Sequence, residues 1–291
     1  MTPPIHHRVT SYDGTDLAYR TWGEPSDLLP LLFFSGIACN DVYWEDLIPL
    51  LSGRQAITWD YPHHGDSGPA EGDIDLGIAS LANHAIAVAD AAGLEKAVCI
   101  GHSMGVQVLF EFYRHHPLRT AALIPIAGPF QHTVGHLYGT RVGTHILSLF
   151  EMGAKTVPQI MNPLWRRAID ARLADPLGRA AGLIGPAPTK VMRRYFEHVA
   201  TIDPPALFEM FRKGHEHSAD DLLERIDVPV LILHGTKDVM TPFALAQEMA
   251  RRIPGAKLVG IAGGAHTLPA EDPDLIATEI DGFLERVAHS Q

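Results

Sequence analysis

The feature that most restricts this chain is the stretch Ala97-Val98-Cys99-Ile100-Gly101-His102-Ser103-Met104-Gly105. Four apolar residues run into a Gly-x-Ser-x-Gly pentapeptide. The chain leaves it with Val108, Leu109, Phe112 and Tyr113 at helical spacing. A strand that turns directly into a helix holds its turn residue in a strained backbone conformation and lifts that side chain clear of the sheet. Glycines on both sides remove the Cβ atoms that would collide where strand and helix cross. Ser103 is therefore a candidate nucleophile, with the first amides of the helix facing whatever binds beside it. Five residues alone also describe an ordinary glycine-rich turn, so the flanks and the partners must decide.

The flanks predict a sheet around that strand. Arg8 to Ser11 and Leu17 to Trp22 read as a hairpin joined by a two-residue Asp13-Gly14 turn. Pro30 to Phe34 is a continuous apolar run, as a strand covered on both faces requires. A short helical segment is expected around Tyr43 to Leu51, and a strand over Ala56 to Trp59. A helix is expected over Ser80 to Ala92, stopped by Gly93. Beyond the helix after Ser103, Ala122 to Ala127 is another buried strand. Strand, helix, strand, helix resumes with Pro229 to Leu233, Pro242 to Arg252, Lys257 to Ile261 and Pro273 to Val287. This alternation implies parallel pairing with right-handed crossovers, hence an open α/β sheet.

Residues 129 to 225 break the pattern, with no convincing strand. They carry amphipathic helical pieces with Val142, Ile146, Leu149 and Phe150, with Val191, Met192, Tyr195, Phe196 and Val199, and with Leu207, Phe208, Met210 and Phe211. Pro163, Pro176, Pro186 and Pro188 are expected to interrupt them. The domain reading is a core of 1–128 and 226–291, with 129–225 inserted as a helical lid over the sheet's carboxyl edge, where open sheets place their sites.

A serine hydroxyl needs a base, and the base an orienting group. Asp238 follows the strand ending Leu233-His234-Gly235, and His266 follows the final strand in Gly263-Gly264-Ala265-His266. Ser, then Asp, then His is one of the chain orders in which such a triad occurs. Asp220, Asp221 and Asp227 precede their strand rather than follow it, which places them nearer the lid junction or at the sheet's opposite edge. An oxyanion hole needs two amide donors about 3 Å from the developing charge. Met104 supplies one, and the loop Ser35-Gly36-Ile37-Ala38 the other, through Ile37. Among 17 histidines, the groups His6-His7, His63-His64, His115-His116 and His215-Glu216-His217 lack companion ligands at metal-site spacing and are read as solvated.

Composition excludes whole classes. Asp and Glu number 34 against 23 Lys and Arg, for a net charge of −11, so a phosphate backbone would be repelled and nucleic acid is not an expected partner. The longest apolar run, Leu28 to Cys39, is interrupted and too short to span a bilayer. The N-terminal residues lack a secretory pattern, and two cysteines make no disulfide framework, so a reduced cytoplasmic protein is expected.

Taken together, the Asp13-Gly14 hairpin, the Ser35-Gly36 loop, the Asp60 to Ser67 loop, the Ser103 pentapeptide, Gly235-Thr236-Lys237-Asp238 and Gly263-Gly264-Ala265-His266 resemble the α/β-hydrolase superfamily in its lid-bearing serine esterase-like branch. The resemblance implies an eight-stranded, mostly parallel sheet flanked by helices, a site without metal or cofactor, and covalent acyl transfer. Three positions depart from the usual pattern. Ser35-Gly36 stands where His-Gly is common, Val106 where a glycine often follows the elbow, and Pro62-His63-His64-Gly65 where Arg-Gly-His-Gly is common. Serine at 103 disfavours the branch with an aspartate nucleophile. The expected activity is hydrolysis of a small to medium, apolar carboxylic ester by Ser103, His266 and Asp238. Three alternatives remain. One is carbon–carbon bond hydrolysis of diketone ring-fission products, for which Arg141, Arg166, Arg167, Arg193 and Arg194 supply candidate cations. The others are a receptor-like protein with slow turnover and peroxide-dependent perhydrolysis. Oligomeric state is left open.

Overall fold

A computed structural model describes residues 3–51, 53–70, 75–131, 156, 163–167 and 169–288. Continuous apolar runs become strands buried on both faces. Every residue of β3 (Leu31–Phe34), β4 (Ala56–Trp59), β5 (Ala97–His102), β6 (Thr120–Ile126) and β7 (Leu231–Gly235) is buried. With β1 (Ile5–Thr10), β2 (Asp16–Trp22) and β8 (Lys257–Ile261) they form one eight-stranded sheet, in the order β1-β2-β4-β3-β5-β6-β7-β8. The β1–β2 and β2–β4 pairs are antiparallel, and the other neighbours are parallel. This is the predicted α/β class.

Helices cover both faces. α1 (Ile78–Ala91), α2 (Met104–His115) and α6 (Phe243–Arg252) pack on one side around Leu81, Leu109, Phe112 and Met249. α8 (Pro273–Ala288) lies on the other with Trp44, Leu47, Ile276 and Phe283. Gly93 ends the α1 segment at φ +69, as its position predicts.

Local details correct the sequence reading in three places. The β1–β2 turn has three residues at its tip, because the Ser11 amide bonds the Thr15 carbonyl at 2.8 Å. Gly14 takes φ +92, and the Asp13 carboxylate accepts the Thr15 amide. The helix expected over 43–51 is two short 3-10 turns, Asp41–Tyr43 and Ile48–Leu50, the second containing Pro49, which has no amide to extend it. Pro176 lies inside a helix rather than ending one.

Between β6 and β7 the described helices include α3 (Ala171–Ala180), α4 (Thr189–Val199) and α5 (Pro204–Glu216), and residues 163–167 are helical as well. The predicted helix carrying Val142, Ile146, Leu149 and Phe150 lies outside the described residues. Val191 and Met192 of α4 pack on Val42 and Tyr43, just after β3. Val199, Ile202 and Leu207 pack around Ala38, and Met210 joins the cluster that contains Met104. The apolar stripes of these helices thus rest on the loops at the sheet's carboxyl edge. Among the described residues no helix is long and apolar enough to cross a membrane.

Candidate active site

Between β3 and β5 the strand order reverses, so the chain leaves these neighbouring strands toward opposite sides and opens a crevice at their carboxyl ends. Phe34 pairs with Gly101, which sets the end of β3 beside the start of the serine turn. Ser103 sits at φ +55, ψ −125, a left-handed φ that a side chain adopts only at a cost. Its amide bonds the Ile126 carbonyl at 3.1 Å, and its carbonyl accepts from Val106. A Cβ on Gly105 would overlap the Phe34 carbonyl, and one on Gly101 would lie 2.6 Å from the Gly105 oxygen. Backbone thus meets backbone where β3, β5 and α2 converge, and only glycine permits it. Val106 finds its room at Gly128, where a Cβ would overlap its side chain.

Ser103, Asp238 and His266, far apart in sequence, meet at this edge. The Ser103 hydroxyl lies 2.9 Å from His266 Nε2, and His266 Nδ1 lies 2.9 Å from Asp238 Oδ2. The Asp238 side chain is fully buried, and that of His266 nearly so. Asp238 follows β7 in a turn that its own carboxylate organises. Oδ1 accepts the amides of Met240 and Thr241 at 2.9 and 2.8 Å, and Oδ2 accepts the Thr241 hydroxyl at 2.6 Å. Burial works to raise the Asp238 carboxyl. The pull of His266 and the Thr241 hydrogen bonds outweighs it and holds the group down at about 2. Asp238 is therefore anionic at neutral pH and fixes the tautomer of His266 with a proton on Nδ1, leaving Nε2 free to accept from the serine.

Three supporting residues escaped sequence reasoning. Thr241 is the first; a carboxylate three residues ahead of a threonine is the signal that could have found it. His234 is the second: fully buried in β7, it donates from Nε2 to the Thr241 carbonyl at 2.6 Å. Glu271, in α7 (Leu268–Glu271), is the third. It accepts the Ala265 amide at 2.9 Å and the Thr267 hydroxyl at 2.7 Å, tying down both sides of His266.

The predicted oxyanion donors are the amides of Met104 and Ile37. Met104 opens α2, so its amide is among the first-turn donors that have no acceptor within the helix. The loop carrying Ile37 runs against the serine, since a Cβ on Gly36 would lie 3.1 Å from Ser103 Cβ. Ser35, at the position where histidine is common, accepts from Trp44 Nε1 through its hydroxyl and from the Tyr61 hydroxyl through its carbonyl, at 2.9 and 2.7 Å. In the 60s loop, His63 stands at φ +64, at the position of the first glycine of Arg-Gly-His-Gly.

The rival carboxylates are committed elsewhere. Asp220 pairs with Arg252, Asp221 with Arg114 and Arg225, and Asp227 accepts the Tyr113 hydroxyl. Two histidines read as solvated are not. His64 is fully buried, and His217 lies 2.8 Å from the Glu111 carboxylate, because each is covered by a segment remote in sequence. Arg166 and Arg193 line a separate cleft with Ile169 and Phe196, and Arg194 pairs with Glu45. Arg167 is exposed and Arg141 lies outside the described residues. Among the described residues, no three His, Cys, Asp or Glu side chains are grouped to hold a metal ion.

Residues 30–273 match the profile of a family described as the alpha/beta hydrolase fold. The chain is 24% identical to a bifunctional esterase/perhydrolase of Acinetobacter calcoaceticus, over 95% of this chain and 98% of that protein. It is 27% identical to a non-heme chloroperoxidase of Streptomyces lividans, over 95% and 99%. Its structure superposes on an esterase of Exiguobacterium antarcticum with a TM-score of 0.76, at 18% identity over 96% of this chain and 98% of that one. At that identity the last likeness is one of fold.

Proposed function

The chain belongs to the α/β-hydrolase fold family, and on that premise we propose that it is a serine hydrolase that cleaves a carboxylic ester through an acyl-enzyme. Ser103 is the nucleophile, His266 the base and Asp238 the group that orients it. The reading is carried by one observation, the unbroken run of hydrogen bonds from Ser103 through His266 to a buried, anionic Asp238. His266 Nε2 takes the serine proton as Oγ attacks the ester carbonyl. The tetrahedral oxyanion is received by the amides of Met104 and Ile37. His266 then hands the proton to the leaving alcohol, and water repeats the sequence on the acyl-enzyme. No metal or cofactor enters this scheme.

Residues 129–225 act in this reading as a helical cap on a core of 1–128 and 226–291. The cluster that joins Ile37 and Ala38 to Tyr195, Val199, Leu207 and Phe211 supports a small to medium, apolar acyl or alkyl group as the substrate's recognised part. The partner is thus a small molecule rather than nucleic acid, and two free, buried cysteines accord with a cytoplasmic setting.

A second reading has a specific support. The Acinetobacter relative is named an esterase/perhydrolase, and hydrogen peroxide in place of water would release a peracid from the same acyl-enzyme. Carbon–carbon hydrolysis has less behind it, since Arg166 and Arg193 line a cleft that does not include Ser103 and Arg194 pairs with Glu45.

The test is a chain-length panel of p-nitrophenyl esters on wild type and Ser103→Ala, each with and without peroxide. Ser103→Ala should lose on the order of 10⁴ to 10⁶ in turnover. A loss below tenfold would overturn the assignment, and saturable binding with no turnover by wild type would favour a receptor.

A further inference from the structure

Ile37 lies in a loop, Ser35 to Cys39, whose shape is held from within and by a neighbouring loop. Ala38 is at φ +58, a left-handed conformation that a residue with a Cβ adopts only at a cost. The Cys39 amide bonds the Gly36 carbonyl at 3.1 Å and so holds the 36–37 peptide, which carries the Ile37 amide. Inside the loop the 37–38 peptide is held by the Cys39 thiol, a weak donor 3.5 Å from the Ile37 carbonyl. That peptide is also fixed from outside: the Ala38 amide donates to His64 Nε2 at 3.1 Å. His64 is fully buried, and its Nδ1 hydrogen is occupied by the Pro62 carbonyl at 2.9 Å. Its Nε2 is consequently a lone pair aimed at one amide.

The imidazole in turn sits in a rigid seat. The loop from Asp60 to Ser67 is wound on the Asp60 carboxylate, which accepts the Asp66 amide and Arg20 Nη2, both at 2.9 Å. A Cβ on Gly65 would overlap that carboxylate, so the chain passes close only because position 65 is glycine. Tyr61 of the same loop holds the Ser35 carbonyl at 2.7 Å. Both ends of the oxyanion loop are thus gripped by one neighbouring loop.

We propose that His64 is a positioning residue for hydrolysis: as a neutral acceptor for the Ala38 amide, it locks the 37–38 peptide and, through the Ile37 Cα that this peptide shares with the 36–37 peptide, the turn that presents the Ile37 amide to the developing oxyanion. This rests on the reading of Ser103 as nucleophile and Ile37 as donor. Burial, the largest influence, keeps His64 unprotonated down to about pH 4, as an acceptor must be.

The test compares wild type, His64→Leu, which removes the acceptor at similar size, and His64→Gln, whose amide oxygen can replace Nε2. His64→Leu should lower kcat on an apolar p-nitrophenyl ester 30- to 1000-fold, in the range of a lost oxyanion donor, with KM within threefold. Its affinity for a trifluoromethyl ketone, which forms the tetrahedral adduct, should fall in the same proportion, and His64→Gln should recover most of both. If wild type hydrolyses esters and His64→Leu keeps kcat within threefold, or loses KM and kcat alike, the His64 role is wrong while the esterase stands. If wild type is inactive on every ester, the parent reading fails first. Should His64→Leu not fold, ¹⁵N NMR of wild-type imidazoles, assigned with His64→Gln, decides. A protonated Nδ1 with a free Nε2 supports the role, and a protonated Nε2 overturns it.

Discussion

His102 donates its Nε2 hydrogen to the backbone carbonyl of His266 across 2.8 Å, joining the residue before Ser103 to the residue whose imidazole meets the Ser103 hydroxyl. His102 ends β5 and His266 lies in the loop after β8, so the bond spans the carboxyl edge of the sheet. Burial, reinforced by the nearby His266, pushes the His102 imidazole down to about 3, and it stays neutral at any working pH. Tyr43 and Trp44 pack against its ring at 5.4 and 6.2 Å and hold it in place.

Replacing that donor should loosen the base without removing it. His102→Phe is expected to lower kcat by about ten- to a hundredfold through misalignment of His266. His102→Gln, which can still donate, should fall less. Steady-state kinetics on one ester checks the order.

The two groups that hold His266's partner should separate in size. Asp238→Asn removes the charge and reverses the tautomer that His266 needs, so a loss of about 10⁴ in kcat is expected. Thr241→Val removes one hydrogen bond to a charged oxygen, and a loss of about ten- to a hundredfold should follow. A Thr241→Val enzyme as impaired as Asp238→Asn would mean that the hydroxyl, not the carboxylate, governs the imidazole.

Two glycines should respond differently to alanine. At Gly105 the new methyl overlaps the Phe34 carbonyl, and displacing backbone there should cost about 3 kcal/mol or more and remove most soluble protein. Gly255 has φ +69 with nothing within 4 Å of an added Cβ, so Gly255→Ala pays conformational strain alone, about 1 kcal/mol. Urea unfolding of both variants measures the contrast.

Acid should weaken the fold well before Asp238 titrates. Burial raises the Asp41 carboxyl to about 7, so its protonation below that value offsets part of the loss from three buried imidazoles. His64, His102 and His198 are held by burial to about 4, 3 and 4, whereas in the unfolded chain they protonate near 6.5. Because the folded values are depressed, their contribution is fully present above pH 6.5 and is lost as pH falls through the folded values. Each group costs about 1.4 kcal/mol per pH unit within that window. Asp238, at about 2, adds its own loss only below pH 4. Melting temperatures of Ser103→Ala between pH 8 and 4 should fall progressively below about 6.5, and a flat profile down to pH 4.5 would contradict it.

Much of this was legible in the residues. Apolar runs became buried strands at nearly their predicted bounds, as at Ala56–Trp59, because a strand covered on both faces leaves a local hydrophobic signature. Ser103, Asp238 and His266 could be named because each lies just past the end of such a strand, so chain order and polarity carried them to the same edge. Gly101 and Gly105 were readable for a similar reason: the demand for a missing Cβ is set by the turn itself.

What escaped the sequence depends on contacts between distant segments. Nothing near His64 announces that it will be buried and accept the Ala38 amide, nor anything near His217 that Glu111 awaits it. The grip of Tyr61 and Trp44 on Ser35, at a position that departs from the common pattern, is equally silent. The sequence alone determined which residues stand at the ends of which strands, since periodicity and turn chemistry act over a few neighbours. Only the tertiary structure decided which buried polar groups would pair, because that depends on where strand register and loop packing leave a donor facing an acceptor once water is excluded.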